Sequence, residues 1–248
     1  MFDLHLNIDH FATLRNARGG NEPNPVAAAL QAEIAGATGI VAHLRADRRH
    51  IQDRDIALLK DAISTKLNME MSTDDDIMQV ALKVKPTIST LVPEKPNEVT
   101  TEGGLDVIKH LKHIKTCTEK LHDKGIKVSL FIEPEHSQID AALEISADIV
   151  EFHTGNYAVD YLKGDKNLIT DHLNKISIAA EYAIENNLTA AAGHSLNYIN
   201  IRNICQTISI DEYNIGHAIV ARAAMVGIRA AVREMIDTII KYKTFYNI

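Results

Sequence analysis

Short runs of apolar and β-branched residues alternate along this chain with longer segments in which apolar residues recur at helical spacing. The short runs are typical of strands that are buried on both faces. The helical segments end at turn signals such as Gly36 and Gly125. The predicted strands are residues 4–8, 39–43, 67–70, 87–91, 127–131, 149–153, 189–192 and 213–215.

A helical segment follows each of the eight predicted strands. Eight strands in this alternation predict an α/β fold, a single (β/α)₈ TIM barrel that spans residues 1–248. An open sheet of eight parallel strands is the structural alternative. The predicted helices are residues 25–35, 53–63, 74–85, 107–124, 137–146, 169–186, 196–206 and 218–242.

Two connections after predicted strands are long for a compact barrel, at residues 93–106 and 155–168. Long connections at this end of a barrel commonly contact substrate or close over it. The alternative is that each is a surface loop without a function. The first contains the pair Gly103-Gly104, which suits a hinge, and is the better candidate for a lid.

Composition and charge exclude several classes of protein. Hydrophobic residues make up 46% of the chain, and 33 acidic against 26 basic residues give a net charge of −7, which offers no electrostatic reason to expect nucleic acid. No apolar run approaches the roughly 20 residues that span a bilayer, and the first residues lack a signal-peptide pattern, so we expect a cytoplasmic protein without membrane contact. Cys117 and Cys205 lie in predicted helices, and we expect ordinary thiols there.

Polar residues recur in phase at the carboxyl ends of the predicted strands, where parallel barrels place their active sites. One such residue alone is more often structural: Asp9 could cap a turn, and Arg45 could lie in a solvated loop. Together they indicate a site, because unpaired charges are costly inside a barrel. These residues are Asn7, Asp9, His43, Arg45, Asn68, Glu70, Glu151, His153, His194 and His217.

Glycines follow the last two strands, in Gly193-His194-Ser195 and Gly216-His217-Ala218. Barrels often bind phosphate there with backbone N–H groups and a helix amino terminus, although a tight turn would also explain the glycines. Arg18 is a candidate to bind a second phosphate or a carboxylate.

A metal site is the other interpretation of the acidic and histidine residues. His43, Glu70, His153 and His194 have suitable ligand atoms, but the strand ends contain no close pair such as His-x-His. We therefore place a metal-dependent enzyme second.

Several long segments resemble the pyridoxine 5′-phosphate synthase family. They include NIDHFATLRNARG at residues 7–19, HLRADRRHIQDRD at 43–55, LVPEK at 91–95, EVTTEGGLD at 98–106 and NIGHA at 214–218. They occur in the family's order from the first strand to the last helix. The resemblance therefore covers nearly the whole chain.

The resemblance implies condensation of 1-deoxy-D-xylulose 5-phosphate with 3-amino-2-oxopropyl phosphate to pyridoxine 5′-phosphate, phosphate and water. It further implies a homo-octamer of TIM barrels that binds small phosphorylated substrates and needs neither metal nor organic cofactor. By resemblance His43 and Glu70 act as bases, His194 acts as an acid, and Glu151 supports the transition state. The implied substrate contacts are Asn7, Asp9, His10, Arg18, Arg45, His50, Thr100, Ser195, Gly216 and His217.

The chain departs from the family pattern at Ser195, where glycine is usual, and at Ala46, where glutamate is usual. Two alternatives stay open: another phosphosugar barrel enzyme, an isomerase or aldolase with or without a metal, and a non-catalytic barrel that binds phosphorylated metabolites. A non-catalytic barrel should have lost an acid or base, whereas His43, Glu70 and His194 are all present.

Overall fold

Eight parallel strands close into a barrel in the order β1 to β8, and β8 pairs with β1. The structure is a computed structural model that describes residues 2–94, 103–206 and 210–244. The predicted closed barrel is confirmed, and every strand end lies within one residue of its prediction. The strands are β1 (Asp3–Asn7), β2 (Gly39–Leu44), β3 (Lys66–Met71), β4 (Ile88–Leu91), β5 (Lys127–Ile132), β6 (Ile149–His153), β7 (Thr189–Gly193) and β8 (Glu212–Ile215).

The alternation of side chains along the strands separates two environments. Leu4 and Leu6 of β1 face the surrounding helices and belong to one large apolar cluster between barrel and helices. Inside the barrel, Ile88, Ile149 and Ala191 form a small apolar cluster in the space that the strands enclose. The strand ends beyond it therefore form the floor of a cavity.

The helices surround the barrel, and their predicted positions are confirmed for most of the chain. The residues 25–35 are helical as predicted, and Asn24 caps this helix by accepting from the Val26 N–H. The helices are α1 (Asp9–Arg18), α2 (Pro25–Ala35), α3 (Asp53–Ala62), α4 (Asp75–Val84), α5 (Leu111–His122), α6 (His136–Glu144), α7 (Gly155–Lys163), α8 (Lys166–Glu185), α9 (Ile201–Ile204), α10 (His217–Val226) and α11 (Ile228–Thr244).

Two helices were not predicted from the sequence. Helix α1 begins shortly after β1. Only three of its residues are buried, two of them charged, so the sequence shows no clear apolar pattern at helical spacing. The predicted connection 155–168 is wrong for most of its length, because α7 occupies it up to Gly164, which adopts φ 74° and ends the helix. Asp165 then caps α8 by accepting from two backbone N–H groups.

Two predicted helices differ most in extent. The segment 196–206 is helical only over Ile201–Ile204, because Asn197 and Asn200 hydrogen-bond to nearby backbone groups in a turn. The predicted helix 218–242 is two helices, because Gly227 adopts φ 85° and ψ 153°, which interrupts the helical backbone.

A buried ion pair links α1 to α3 beside the cavity. Arg15 Nη1 and Nη2 each lie 2.8 Å from one oxygen of Asp55, and Nη2 also donates to the His50 carbonyl at 3.0 Å. The pair is bidentate, and Asp55 also accepts from the Gln52 N–H at 2.9 Å, which suits the pair to fix the loop that carries His50.

The predictions for the two thiols are confirmed, since Cys117 and Cys205 are both free and buried. Across residues 2–94, 103–206 and 210–244, no helix is both long and apolar enough to cross a membrane.

Candidate active site

A cavity of about 750 Å³ opens at the carboxyl ends of the strands. Its volume lies within the range of small-molecule sites. Most of the predicted site residues line it, namely Asn7, Asp9, His10, His43, Arg45, His50, Glu70, Glu151, His194, Ser195, Gly216 and His217.

Asp9 connects the first two strands at the mouth of the barrel. It is the first residue of α1, and its backbone N–H donates to Asn7 Oδ1 at 2.9 Å. Its carboxylate accepts from Asn7 Nδ2 at 2.9 Å and from the backbone N–H of His43 at 2.8 Å. Asp9 therefore holds the end of β2, and with it the imidazole of His43, in a fixed position.

His43 lies between two carboxylates. Its Nε2 is 2.8 Å from Glu94 Oε1, and its Nδ1 is 3.8 Å from Glu70 Oε2. The other oxygen of Glu94 accepts from the Ala46 N–H at 3.1 Å. Burial alone would raise the pKa of Glu94, but the hydrogen bonds from His43 and Ala46 outweigh burial and lower it. Sequence reasoning missed Glu94, which lies at the start of a long connection.

Glu70 is surrounded by acidic groups. Burial raises its pKa well above the ordinary value, and the charge of Asp9, with that of Glu151 when it is ionised, raises it further. Asn7 Nδ2 is 3.4 Å from Glu70 Oε2. In its ionised form this carboxylate is therefore a strong proton acceptor, which is the property required of a general base.

Asn214 bridges two buried carboxyl groups near the barrel axis. Its Nδ2 donates to Glu151 Oε2 at 2.7 Å and lies 3.3 Å from Glu212 Oε1. Burial, together with the charge of Glu212, raises the pKa of Glu151 to about 8, and burial raises that of Glu212 to about 7. Near neutral pH, Glu151 therefore holds a proton that it can donate. Sequence reasoning did not select Asn214 or Glu212.

The pKa of Glu151 predicts a pH dependence of stability. The pKa is about 8 in the folded protein and near 4.5 in the unfolded chain. Between these values the unfolded chain binds fewer protons, so the free energy of unfolding should fall as the pH rises from about 5 to about 8. Glu151→Gln removes this contribution, and urea unfolding at pH 5.5 and pH 8.5 should show a shallower decline than in the wild type.

A surface variant provides the control for this prediction. Glu119→Gln removes an exposed carboxylate on α5 and should leave the pH profile unchanged. Equal slopes for the wild type and Glu151→Gln would show that the Glu151 carboxyl does not titrate in this window.

His194 and Ser195 follow β7 with left-handed backbone conformations, at φ 76° and φ 60°. Thr154 Oγ1 donates to the carbonyls of Gly193 and His194, at 2.9 and 2.5 Å, and so supports this turn. The His194 ring lies 6.1 Å from Phe131 and 5.1 Å from His153, measured between ring centroids. Two successive non-glycine residues in this region are costly, and such strain often occurs at functional sites.

Ser195→Gly should raise the free energy of unfolding by about 0.5–1 kcal/mol, because glycine adopts φ 60° without the steric cost of a Cβ. Chemical denaturation would measure the change. Asn187→Gly, at φ 65° and exposed away from the cavity, should stabilise the protein by less, because asparagine adopts this conformation more readily than serine, and should leave activity unchanged. A lower free energy of unfolding in Ser195→Gly would mean that contacts of the hydroxyl stabilise the fold by more than the backbone strain destabilises it.

The amino terminus of α10 faces the cavity. Gly216 precedes this helix, and a Cβ there would lie 2.9 Å from Asn7 Cβ, which explains why glycine is required. The rings of His10 and His217 are 5.0 Å apart. Burial lowers the pKa of His10, and the nearby His217 lowers it further. The positive end of α10 with these imidazole donors is suited to bind an anion.

Three arginines that follow the first two strands are candidates for the site, two after β2 and one at the end of α1. Arg45 is buried and lines the cavity together with Arg49, which sequence reasoning did not select. Arg18 is exposed at the end of α1 and does not line the cavity. The predicted contact Thr100 lies outside the described residues, as does most of the predicted lid.

The described residues include two groups whose donor atoms could hold a metal. The ligand atoms of Asp9, His43 and Glu70 lie within 4.8 Å of one another inside the cavity. A second group, formed by Asp3, His5 and Glu212, lies at the opposite end of the barrel. In both groups the carboxylates already have other partners, such as the His43 N–H for Asp9 and the Lys66 ammonium for Asp3.

Known proteins resemble this chain over nearly its whole length. The family model of the pyridoxal phosphate biosynthesis protein PdxJ matches residues 4–241. Pyridoxine 5′-phosphate synthase of Geotalea daltonii is 52% identical over 98% of this chain and 100% of that protein. The protein of the same name from Chlorobium phaeobacteroides is 53% identical over 95% of this chain and 99% of that protein.

A solved structure shares the fold at low sequence identity. Phosphoribosylanthranilate isomerase of Thermotoga maritima superposes with a TM-score of 0.55 at 12% identity, over 96% of this chain and 98% of that one. At this identity the likeness concerns the barrel alone.

Proposed function

This chain belongs to the PdxJ family, and from that membership we propose how its residues make pyridoxine 5′-phosphate. The activity is a ring-closing synthesis in vitamin B6 biosynthesis. One observation supports the roles proposed below. The side chains of four residues line one cavity at the carboxyl ends of the strands, namely His43, Glu70, Glu151 and His194.

The substrates are two small phosphorylated molecules, 1-deoxy-D-xylulose 5-phosphate and 3-amino-2-oxopropyl phosphate. One phosphate binds at the amino terminus of α10, where Gly216 and His217 offer backbone N–H groups and Ser195 lies close by. Arg45 and His50, which follow β2, bind other oxygens of the substrates, together with Asn7, Asp9 and His10. Arg18 and Thr100 stay proposed contacts by family resemblance.

The reaction needs proton transfers around one carbon skeleton. The substrate amine condenses with the sugar ketone itself, so no enzyme amine is required, and no lysine is found among the described residues that line the cavity. His43 and Glu70 remove protons, and His194 protonates oxygen that leaves as water, one molecule in the condensation and a second in the ring closure. Glu151, protonated near neutral pH, donates a hydrogen bond to charge that develops on the substrate. Phosphate leaves in a separate elimination.

Mixing the purified protein with both substrates tests the proposal. We expect the fluorescent pyridine product to form together with one equivalent of inorganic phosphate, and neither to form when one substrate is omitted. Absence of product with a correctly folded protein would contradict the proposed function.

A metal-dependent phosphosugar isomerase or aldolase is the second candidate, and the group Asp9, His43 and Glu70 favours it. Activity that survives treatment with a chelator and dialysis is expected for the ring-closing enzyme, which needs neither metal nor organic cofactor. A stoichiometric metal whose removal abolishes turnover would instead favour the second candidate.

The assembly and location are also proposals, the octamer from family resemblance and the rest from the pattern and composition of the sequence. We propose one TIM-barrel domain over residues 1–248, a homo-octamer of such chains, and a cytoplasmic location without nucleic-acid or membrane partners. Light scattering of the purified protein would test the octamer.

A further inference from the structure

A second carboxylate–histidine pair lies beside the cavity, outside the residues that line it. His153 Nδ1, at the end of β6, is 2.7 Å from Glu133 Oε1, which follows β5. The side chain of His153 is 4% exposed, whereas that of Glu133 is 34% exposed. The mechanism above uses neither residue.

Glu133 is held in place by more than its histidine. Its Oε1 also accepts from the Gly104 N–H at 3.0 Å. Burial alone would raise the pKa of Glu133, but the hydrogen bonds from His153 and Gly104 outweigh it and lower the pKa. Glu133 is therefore a fixed anion, and its partner nitrogen on His153 carries the proton.

The ring of His153 packs directly against the ring of His194. The two centroids are 5.1 Å apart, and Phe131 contacts both rings, at 5.3 Å from His153 and 6.1 Å from His194. Gly155 makes room for this ring, since a Cβ there would lie 2.3 Å from His153 Nε2. His153 thus forms part of the wall that orients His194.

We propose that Glu133 and His153 are positioning residues for His194, which rests on the proposed function in which His194 is the acid. The Glu133 carboxylate fixes the orientation and tautomer of His153, because it accepts from Nδ1–H. The fixed ring of His153, with Phe131, then limits the rotation of His194. The pair acts through His194 and does not touch substrate.

Glu133→Gln tests the pair, because it keeps the shape of the side chain but removes its charge. We expect kcat to fall by about 10–100-fold with KM within about threefold, as for other groups that orient a catalytic residue. Glu135→Gln is the matched control, since it removes an exposed carboxylate two residues away and should leave both constants unchanged. Thermal unfolding of each variant separates loss of fold from loss of rate.

A double variant separates this inference from the proposed function. In a His194→Asn background, Glu133→Gln should lower the residual rate by less than about threefold, because the residue that it positions is gone. Equal losses from Glu133→Gln in both backgrounds, or an unchanged kcat in the single variant, would overturn the positioning role. A His194→Asn variant with wild-type turnover would instead contradict the acid assignment itself.

His153→Asn should reproduce the loss of kcat seen in Glu133→Gln, because it removes the other member of the pair. A wild-type kcat in His153→Asn would also overturn the proposal.

Discussion

Glu70→Gln should lower the chemical step by about 10²–10⁴-fold while substrate binding changes little. The glutamine keeps the shape of the side chain and can still hydrogen-bond to Asn7, but it cannot accept a proton. Burial and the charge of Asp9 raise the pKa of Glu70, so its ionised carboxylate is a stronger base than an exposed one. Single-turnover kinetics with both substrates would measure the chemical step apart from product release.

Two comparisons make the Glu70 result specific. Glu119→Gln, on the exposed surface of α5, should turn over at the wild-type rate. The dissociation constant of the phosphorylated sugar should stay within a few-fold in Glu70→Gln. A variant that retains near wild-type turnover would show that this carboxylate is not a base, whereas greatly weakened binding would assign it to substrate contact.

Gly193→Ala should lower kcat by about 10²-fold or more and destabilise the fold by about 1–3 kcal/mol. A Cβ at this position would lie 1.9 Å from Glu151 Oε1 and 3.2 Å from Asn214 Cβ. Glu151 would have to move away, although its other oxygen is held by Asn214 and the side chain is almost fully buried. Steady-state kinetics and urea unfolding would measure the two effects.

Gly20→Ala is the control for Gly193→Ala. Its Cβ would meet no atom within 4 Å, and its φ lies outside the left-handed region. It should therefore affect neither turnover nor stability by a comparable amount. Wild-type activity in Gly193→Ala would mean that the carboxyl of Glu151 can be displaced without cost, and that its role in the proposed mechanism is wrong.

The sequence predicts the strands well because fully buried parallel strands are apolar runs that few other structures produce. It does not predict α1, whose exposed face is polar, nor the break at Gly227, where only the backbone angles show the interruption. The period of 3.6 residues is a weak signal in short or very apolar helices.

The cavity residues could be predicted where they end a strand in phase with their neighbours, as for His43, Glu70 and Glu151. The sequence alone does not identify three further residues near the cavity, Glu94, Glu133 and Asn214. Each is recognised by its contact with a residue from another part of the chain, and only the fold brings the two together. The sequence predicts that Gly193 binds phosphate, but in the structure this residue ends β7 and its missing Cβ makes room for the carboxyl of Glu151.

The pairing of β8 with β1, here called the seam, determines when a newly made chain can become active. The seam joins His5 to Asn214, and beside it Asn7 lies against Gly216 and His10 against His217. Translation adds about 5–20 residues per second, so β8 leaves the ribosome roughly 10–40 s after β1. During that time β1 presents an unpaired edge, and the proposed anion site is incomplete. A nascent chain can therefore bind no phosphorylated substrate there until its last strand has docked.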